Sequence, residues 1–294
     1  MAALKDIKRK ITAVGKTKQI TRAMNMVAAA KFKVAQARMD NFRPYAGKFM
    51  EVLNSLALRV DVQAHPLLAV RPPQRVWVIL MTSDRGLCGG FNTNVIKAAE
   101  RFISLKMSQG QDVSLIPIGR KGRDYFRKKA KIIHERVDCM AKFDIKLAID
   151  ISHDVILPFI RGEYDELYLV YNEFRNVASQ RPALVRLFPL PAVGSEEAVE
   201  PEQRIEYLYE PSSDILLDRL LGMYVRVLLF RALLETSAGE NGARMAAMDN
   251  ATKNCDELIE SLTLKFNKAR QAAITAELMD IVGGTEALAK GSKN

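Results

Sequence analysis

The sequence predicts a fold of two parts, a long α-helical coiled coil plus an α/β domain. Three observations carry this: 3,4-spaced apolar ladders at both ends of the chain, a different period between them, and Gly- and Pro-marked turns where the period changes. The front ladder runs Leu4, Ile7, Ile11, Val14, Lys18, Thr21, Asn25, Ala28, Phe32, Ala35, Met39 and Phe42, and continues through Ala46, Phe49, Leu53 and Leu56. The back ladder runs Leu217, Leu220, Tyr224, Val227, Arg231, Leu234, Ala238, Met245, Met248, Thr252, Cys255, Ile259, Leu262, Phe266, Ala269, Ala273 and Ala276. A seam repeating every 3.5 residues keeps two supercoiling helices in contact. Helices at opposite termini of one chain pair antiparallel, so residues 1–60 and 212–286 are expected to form the coiled coil.

Each element follows in order. Pro44 lies inside the front ladder, where it removes one hydrogen bond; the apolar spacing resumes in phase, which predicts a kink and not a stop. Ala64-His65-Pro66 and Arg71-Pro72-Pro73 end the ladder. Val76 to Met81 is a short apolar run suited to a buried strand. A glycine-rich turn and a helical pattern to about Met107 come next. Val113 to Ile118 reads as a second strand, followed by a turn at Gly119-Arg120-Lys121-Gly122 and a basic helix to about Lys129. Ala148, Ile151, Val155 and Phe159 mark a further helix, and Leu167–Tyr171 and Ala183–Leu190 later strands. This alternation predicts a central Rossmann-like α/β domain over 74–192 with a largely parallel sheet. Residues 193–211 are acidic and read as a loop or hairpin, and Ser212-Ser213-Asp214 supplies caps for the last helix. Gly239 and Gly242 each cost about 1 kcal/mol relative to Ala in a helix, which a long packed helix tolerates, and the sequence leaves local fraying there open.

Charge narrows the function. The chain carries 44 Lys+Arg and 34 Asp+Glu, a net of +10. Residues 1–50 hold twelve of the basic and two of the acidic side chains, so the whole excess sits on the first helix. Such a helix faces acidic protein, nucleic acid or an anionic membrane. The longest clean apolar run is far too short to cross a bilayer. Cys88, Cys139 and Cys255 form no CxxC or Cys/His cluster, and an odd count argues for a reducing compartment. The basic amphipathic start continues past residue 40 as one helical pattern, so it reads as mature structure and not as a signal or transit peptide.

Catalytic patterns fail one by one. The turn Ser83-Asp84-Arg85-Gly86-Leu87-Cys88-Gly89-Gly90 sits where phosphate loops sit, between a strand and a helix. It is neither GxxxxGK[ST] nor GxGxxG. His65, His134 and His153 are scattered, and no histidine is near Cys88 in sequence. No catalytic, cofactor-binding or metal-binding residue is assigned. The polar gap in the front seam, at Lys18, Thr21 and Asn25, is open to two readings: a solvated or rotated helix, or passage through a collar of other protein.

Three separated motifs carry a resemblance over essentially the whole length. They are Ile20-Thr21-Arg22-Ala23-Met24-Asn25-Met26-Val27-Ala28-Ala29-Ala30-Lys31; Ser83-Asp84-Arg85-Gly86-Leu87-Cys88-Gly89 with Phe91-Asn92; and Ala243-Arg244-Met245 with Phe266-Asn267-Lys268-Ala269-Arg270-Gln271 and Ile274-Thr275-Ala276-Glu277. The chain resembles the gamma subunits of bacterial F-type, proton-translocating ATP synthases, the rotating central stalk. Ala238-Gly239-Glu240-Asn241-Gly242 departs from the family's more helical stretch. The cysteine-bearing regulatory insertion of chloroplast members is absent, so thiol control is not expected. The resemblance implies a non-catalytic rotor that couples proton flow through the membrane c-ring to ATP synthesis, and hydrolysis to pumping. It implies three alpha and three beta subunits around the coiled coil, with the epsilon subunit and the c-ring at the α/β foot. It implies no cofactor, no nucleic acid and no small-molecule substrate. The implied location is peripheral, on the cytoplasmic side of a bacterial inner membrane. Lys18, Arg22, Met24, Arg244, Gln271, Thr275 and Glu277 are the implied contacts with the alpha/beta ring. Arg85, Gly86, Leu87 and Cys88 form the turn near beta loops, and Tyr207 and Glu210 belong to the foot. The alternative from the residues alone is a basic coiled-coil nucleic-acid-binding protein using residues 1–50, which lacks interleaved aromatics and any DNA-reading motif.

Overall fold

A computed structural model of the chain describes residues 2–57, 65–177, 179–190 and 213–291. The element order is α1 (Ala2–Ala57), a 3₁₀ turn (Pro66–Leu68), β1 (Arg75–Met81), α2 (Phe91–Ser108), β2 (Asp112–Ile118), α3 (Arg120–Phe126), β3 (Lys131–Ile132), α4 (Ile145–Ile160), β4 (Glu166–Phe174), β5 (Gln180–Phe188) and α5 (Ser213–Gly291). The chain divides into two compact units, residues 28–246 and the paired ends 1–27 with 247–294.

In the larger unit the five strands lie in the order β3-β2-β1-β4-β5. β1 pairs parallel with β2 and β4, β2 pairs parallel with β3, and only β5 is antiparallel. The apolar run of β1 is continuous because both of its faces are covered. Val76, Val78 and Leu80 pack with Val95, Ala99 and Ile103 of α2. Ile79 and Met81 face the opposite way, into a core built by α4, α5 and α1 through residues such as Ile151, Phe159, Leu229, Leu233, Met39 and Leu53. The start of β1 is held by Asp165, whose carboxylate accepts from the amides of Gln74 (3.0 Å) and Arg75 (2.8 Å) and from the Arg75 guanidinium. Burial pushes that carboxyl up, but the Arg75 and Gln74 donors outweigh it and hold the carboxyl below its usual value. Gly119 joins β2 to α3 at φ 100°; a Cβ there would lie 2.1 Å from the Thr82 carbonyl oxygen, so only glycine fits.

α1 stays helical through Pro44. α5 stays helical through Gly239 and Gly242, where the sequence left fraying open. The reason is packing: residues 232–242 are buried on every face of the helix. A Cβ on Gly239 would meet the Phe91 ring at 2.9 Å, and one on Gly242 would lie 3.5 Å from the Phe32 ring. These glycines admit neighbours, and the neighbours hold the helix. α1 and α5 run antiparallel in this unit, since Phe32 lies beside Gly242 and Phe42 meets Phe230 edge-on, ring centroids 5.0 Å apart. β3 has two residues and pairs only at Ser114–Lys131 and Leu115–Ile132. It leaves no periodic trace in the sequence.

In the smaller unit the same antiparallel sense is set by two polar pairs. Lys18 forms an ion pair with Asp256, and the hydroxyls of Thr21 and Thr252 share a 2.8 Å hydrogen bond. Every front-ladder residue from Leu4 to Ala28 is buried or half-buried. Past Ala273, α5 is exposed at each position through 282. No helix among the described residues is long and apolar enough to cross a membrane.

Candidate functional site

The turn between β1 and α2 is the most heavily tied loop among the described residues. Ser83 begins it: its amide donates to Asn92 Oδ1 (2.9 Å) and its hydroxyl to the Arg85 carbonyl (2.5 Å). Asn92 Nδ2 donates back to Ser83 Oγ (2.7 Å) and reaches Cys88 Sγ (3.2 Å). Asp84 turns the other way. Its carboxylate accepts from the amides of Arg120 (2.9 Å), Asp138 (2.9 Å) and Met140 (3.0 Å), which ties the turn to α3 and to the loop after β3. Leu87, at the tip, has φ 62° and is 65% exposed.

α5 closes the turn from outside. One nitrogen of Arg244, Nη2, lies 2.9 Å from Glu240 Oε1, 3.2 Å from the Gly86 carbonyl oxygen and 3.4 Å from that of Arg85. The Arg244 side chain is only 12% exposed. Burial pushes the Glu240 carboxyl up, while the Arg244 guanidinium pulls it back. Burial likewise pushes the Cys88 thiol up against the pull of Arg244, and the Cys139 thiol up to about 11. Raised thiols are poor thiolates at neutral pH, so neither cysteine is an activated nucleophile.

α5 also fills the place where a fold of this kind binds ligands. Strand order reverses between β1 and β4, and the crevice beyond their carboxyl ends is the usual site. Here Thr236 Oγ1 stands 3.9 Å from Met81 Sδ at the end of β1. Glu235 accepts from the Phe174 amide at the end of β4 (3.3 Å). Gly239 sits on Phe91 at the start of α2. No group of three or more His, Cys, Asp or Glu able to hold a metal occurs among the described residues.

The other sequence-assigned contacts lie on the helices of the smaller unit. Arg22 is exposed and Met24 half-buried, flanked by the exposed Ile20 and Met26 on α1. Lys18 is turned into the seam by Asp256. Gln271, Thr275 and Glu277 are exposed on α5, where the Thr275 hydroxyl donates to the Gln271 carbonyl (3.0 Å). Arg85, Gly86, Cys88 and Arg244 are brought together in the larger unit, and Arg244 works inside the chain and not as a solvated side chain. Tyr207 and Glu210 lie outside the described residues. Sequence reasoning missed Glu240, although its i,i+4 spacing to Arg244 was a visible signal. It also missed Asp256, and it named Thr252 in the back ladder and Asp84 in the turn without their partners, which are far away in the chain.

Fold and site together define a class: a protein with paired terminal helices and an α/β domain whose crevice is filled by its own helix. A family model described as ATP synthase matches residues 3–288, and the ATP synthase gamma chain of Syntrophus aciditrophicus is 67% identical over 291 residues, 99% of this chain and 100% of that one. The chain belongs to the ATP synthase gamma-chain family. The gamma chain of Nitratidesulfovibrio vulgaris is 49% identical over 290 residues, 98% of this chain and 99% of that one. Among solved structures, a chain of the central stalk/c-ring of Tetrahymena thermophila mitochondrial ATP synthase aligns with TM-score 0.59 at 26% identity. That match covers 79% of this chain and 99% of that one. A chain of the Euglena gracilis mitochondrial OSCP/F1/c-ring assembly aligns with TM-score 0.69 at 19% identity over 100% and 97% of the two chains, which shows the shared fold.

Proposed function

We propose that this chain is the central-stalk rotor of a bacterial ATP synthase, a non-catalytic subunit that transmits torque. The observation that carries the reading is the end of α5. Beyond Ala273 the helix continues with Ile274 49%, Leu278 57% and Met279 68% exposed. Apolar side chains in succession on a solvent-facing helix mark a surface that another protein covers. The ring of three alpha and three beta subunits is that cover, and Lys18, Arg22, Met24, Gln271, Thr275 and Glu277 are its polar contacts. The α/β domain, with Tyr207 and Glu210, forms the foot on the epsilon subunit and the c-ring, at the cytoplasmic face of the inner membrane. Proton flow turns the c-ring, and the helices carry that rotation to the nucleotide sites of beta.

Reconstitution with alpha, beta and epsilon subunits tests this. Ile274→Asp with Leu278→Asp should lower the yield of assembled complex at least five-fold, while the isolated chain keeps its helical signal. Full assembly and normal ATP-driven proton pumping in that variant would overturn the reading.

A further inference from the structure

We infer that Glu240 is a positioning residue: through Arg244 it latches the Ser83–Gly90 turn to α5 and holds Leu87 out for the subunits around it. The part about surrounding subunits rests on the function proposed above; the latch itself rests on geometry. Leu87 adopts a left-handed backbone that a side chain with a Cβ disfavours, in a turn that already contains Gly86, Gly89 and Gly90. It is exposed, so burial within the chain does not offset that strain. A strained residue persists only where its surroundings over-determine it.

Two anchors do this. The base of the turn is fixed by Ser83 with Asn92 and by Asp84 with its three amides. The tip is held from α5 by Arg244, which donates to the carbonyl of the residue just before Leu87. Arg244 Nη2 has two protons and faces three acceptors, so its aim depends on all of them. Glu240 is the charged one. It sits one helical turn earlier on α5, and its side chain is 10% exposed. It fixes the guanidinium where it can bridge the tip. Without it, a nearly buried cation would keep only neutral partners and would be drawn toward solvent. Lys31 of α1 and Asp84 of the turn also act on the Glu240 charge. The crowding is mutual, and a change at Glu240 is felt at the turn.

Cys88 supplies the readout, because its thiol is buried beneath the turn; Cys139 is half-buried in the loop that Asp84 ties to the turn, and Cys255 is half-buried on α5. The test is iodoacetamide labelling of the full-length chain, together with ATP-driven proton pumping per ATP in the assembled complex. Glu240→Ala should speed Cys88 labelling at least ten-fold with the cooperative thermal melt of the chain retained, and should lower pumping per ATP at least two-fold. Glu240→Gln keeps an acceptor for Arg244 but leaves it only neutral partners, and should fall between wild type and Glu240→Ala. Arg244→Lys keeps the charge pair but loses the planar fork, and should loosen the turn as Glu240→Ala does. Unchanged Cys88 labelling in Glu240→Ala and Arg244→Lys overturns the latch. Loss of the cooperative thermal melt in Glu240→Ala also overturns it, because that reports loss of the whole domain. Faster Cys88 labelling with normal pumping overturns the role of the turn toward its neighbours, and counts against ring contact at this turn and not against the latch geometry.

Discussion

Gly239 shows how far a single residue's meaning depends on what lies across from it. In isolation, Ala in its place would favour the helix by about 1 kcal/mol. In the folded chain that methyl group would stand 2.9 Å from the edge of the Phe91 ring, and Phe91 is itself buried. Overpacking should win, so Gly239→Ala is expected to destabilise the chain by about 1–3 kcal/mol in urea unfolding. Gly222 is the control. It lies on the same helix, and a Cβ there would meet nothing within 4 Å. Gly222→Ala should stabilise by about 0.5–1 kcal/mol. A stabilising Gly239→Ala would mean that the ring yields freely. Both glycines look alike in a one-dimensional ladder, and that is why the sequence left fraying open at 239–242, where the folded helix is buried on every face.

At the scale of elements, the seam between α1 and α5 was legible and its pairing was not. The 3.5 spacing marked which face of each helix is turned inward, and strands β1, β2, β4 and β5 were legible from apolar runs bounded by turns. The polar gap at Lys18 and Thr21 could not be interpreted locally, because its answers are Asp256 and Thr252, more than two hundred residues away. The two threonine hydroxyls have one proton each, and each also lies within reach of a carbonyl on its own helix, Lys18 (3.0 Å) and Met248 (2.8 Å). One of them therefore donates across the seam. Thr21→Val or Thr252→Val alone should cost about 1 kcal/mol, since the remaining hydroxyl loses its cross-seam partner. The double variant should cost less than the sum, because a methyl pair replaces a hydroxyl pair of the same shape. Thermal melts of the four chains give the coupling, and strict additivity would show that the cross-seam bond contributes nothing. The candidate site was half legible for the same reason: the turn at 83–90 was marked by its motif, whereas its tie to Glu240 and Arg244 required the fold.

For the whole molecule, the uneven charge has a kinetic consequence. The +10 excess is confined to the first fifty residues, so an acidic partner surface would be steered to that one helix. Association with alpha and beta subunits should slow at least ten-fold as ionic strength rises from about 20 mM to about 500 mM. A salt-independent rate in stopped-flow mixing would remove steering from the account. The enclosure of residues 232–242 has a consequence of another kind, for how a ribosome delivers this protein. The sheet is complete once Phe188 is made, yet Leu229, Leu233 and Ala238, which share its core with Leu169 and Tyr171, are made about forty to fifty residues later. At roughly 5–20 residues per second the nascent domain waits several seconds with that face uncovered. The last helix is in effect the lid of a container built first, and during every round of synthesis the unfinished container is the form that a chaperone would meet.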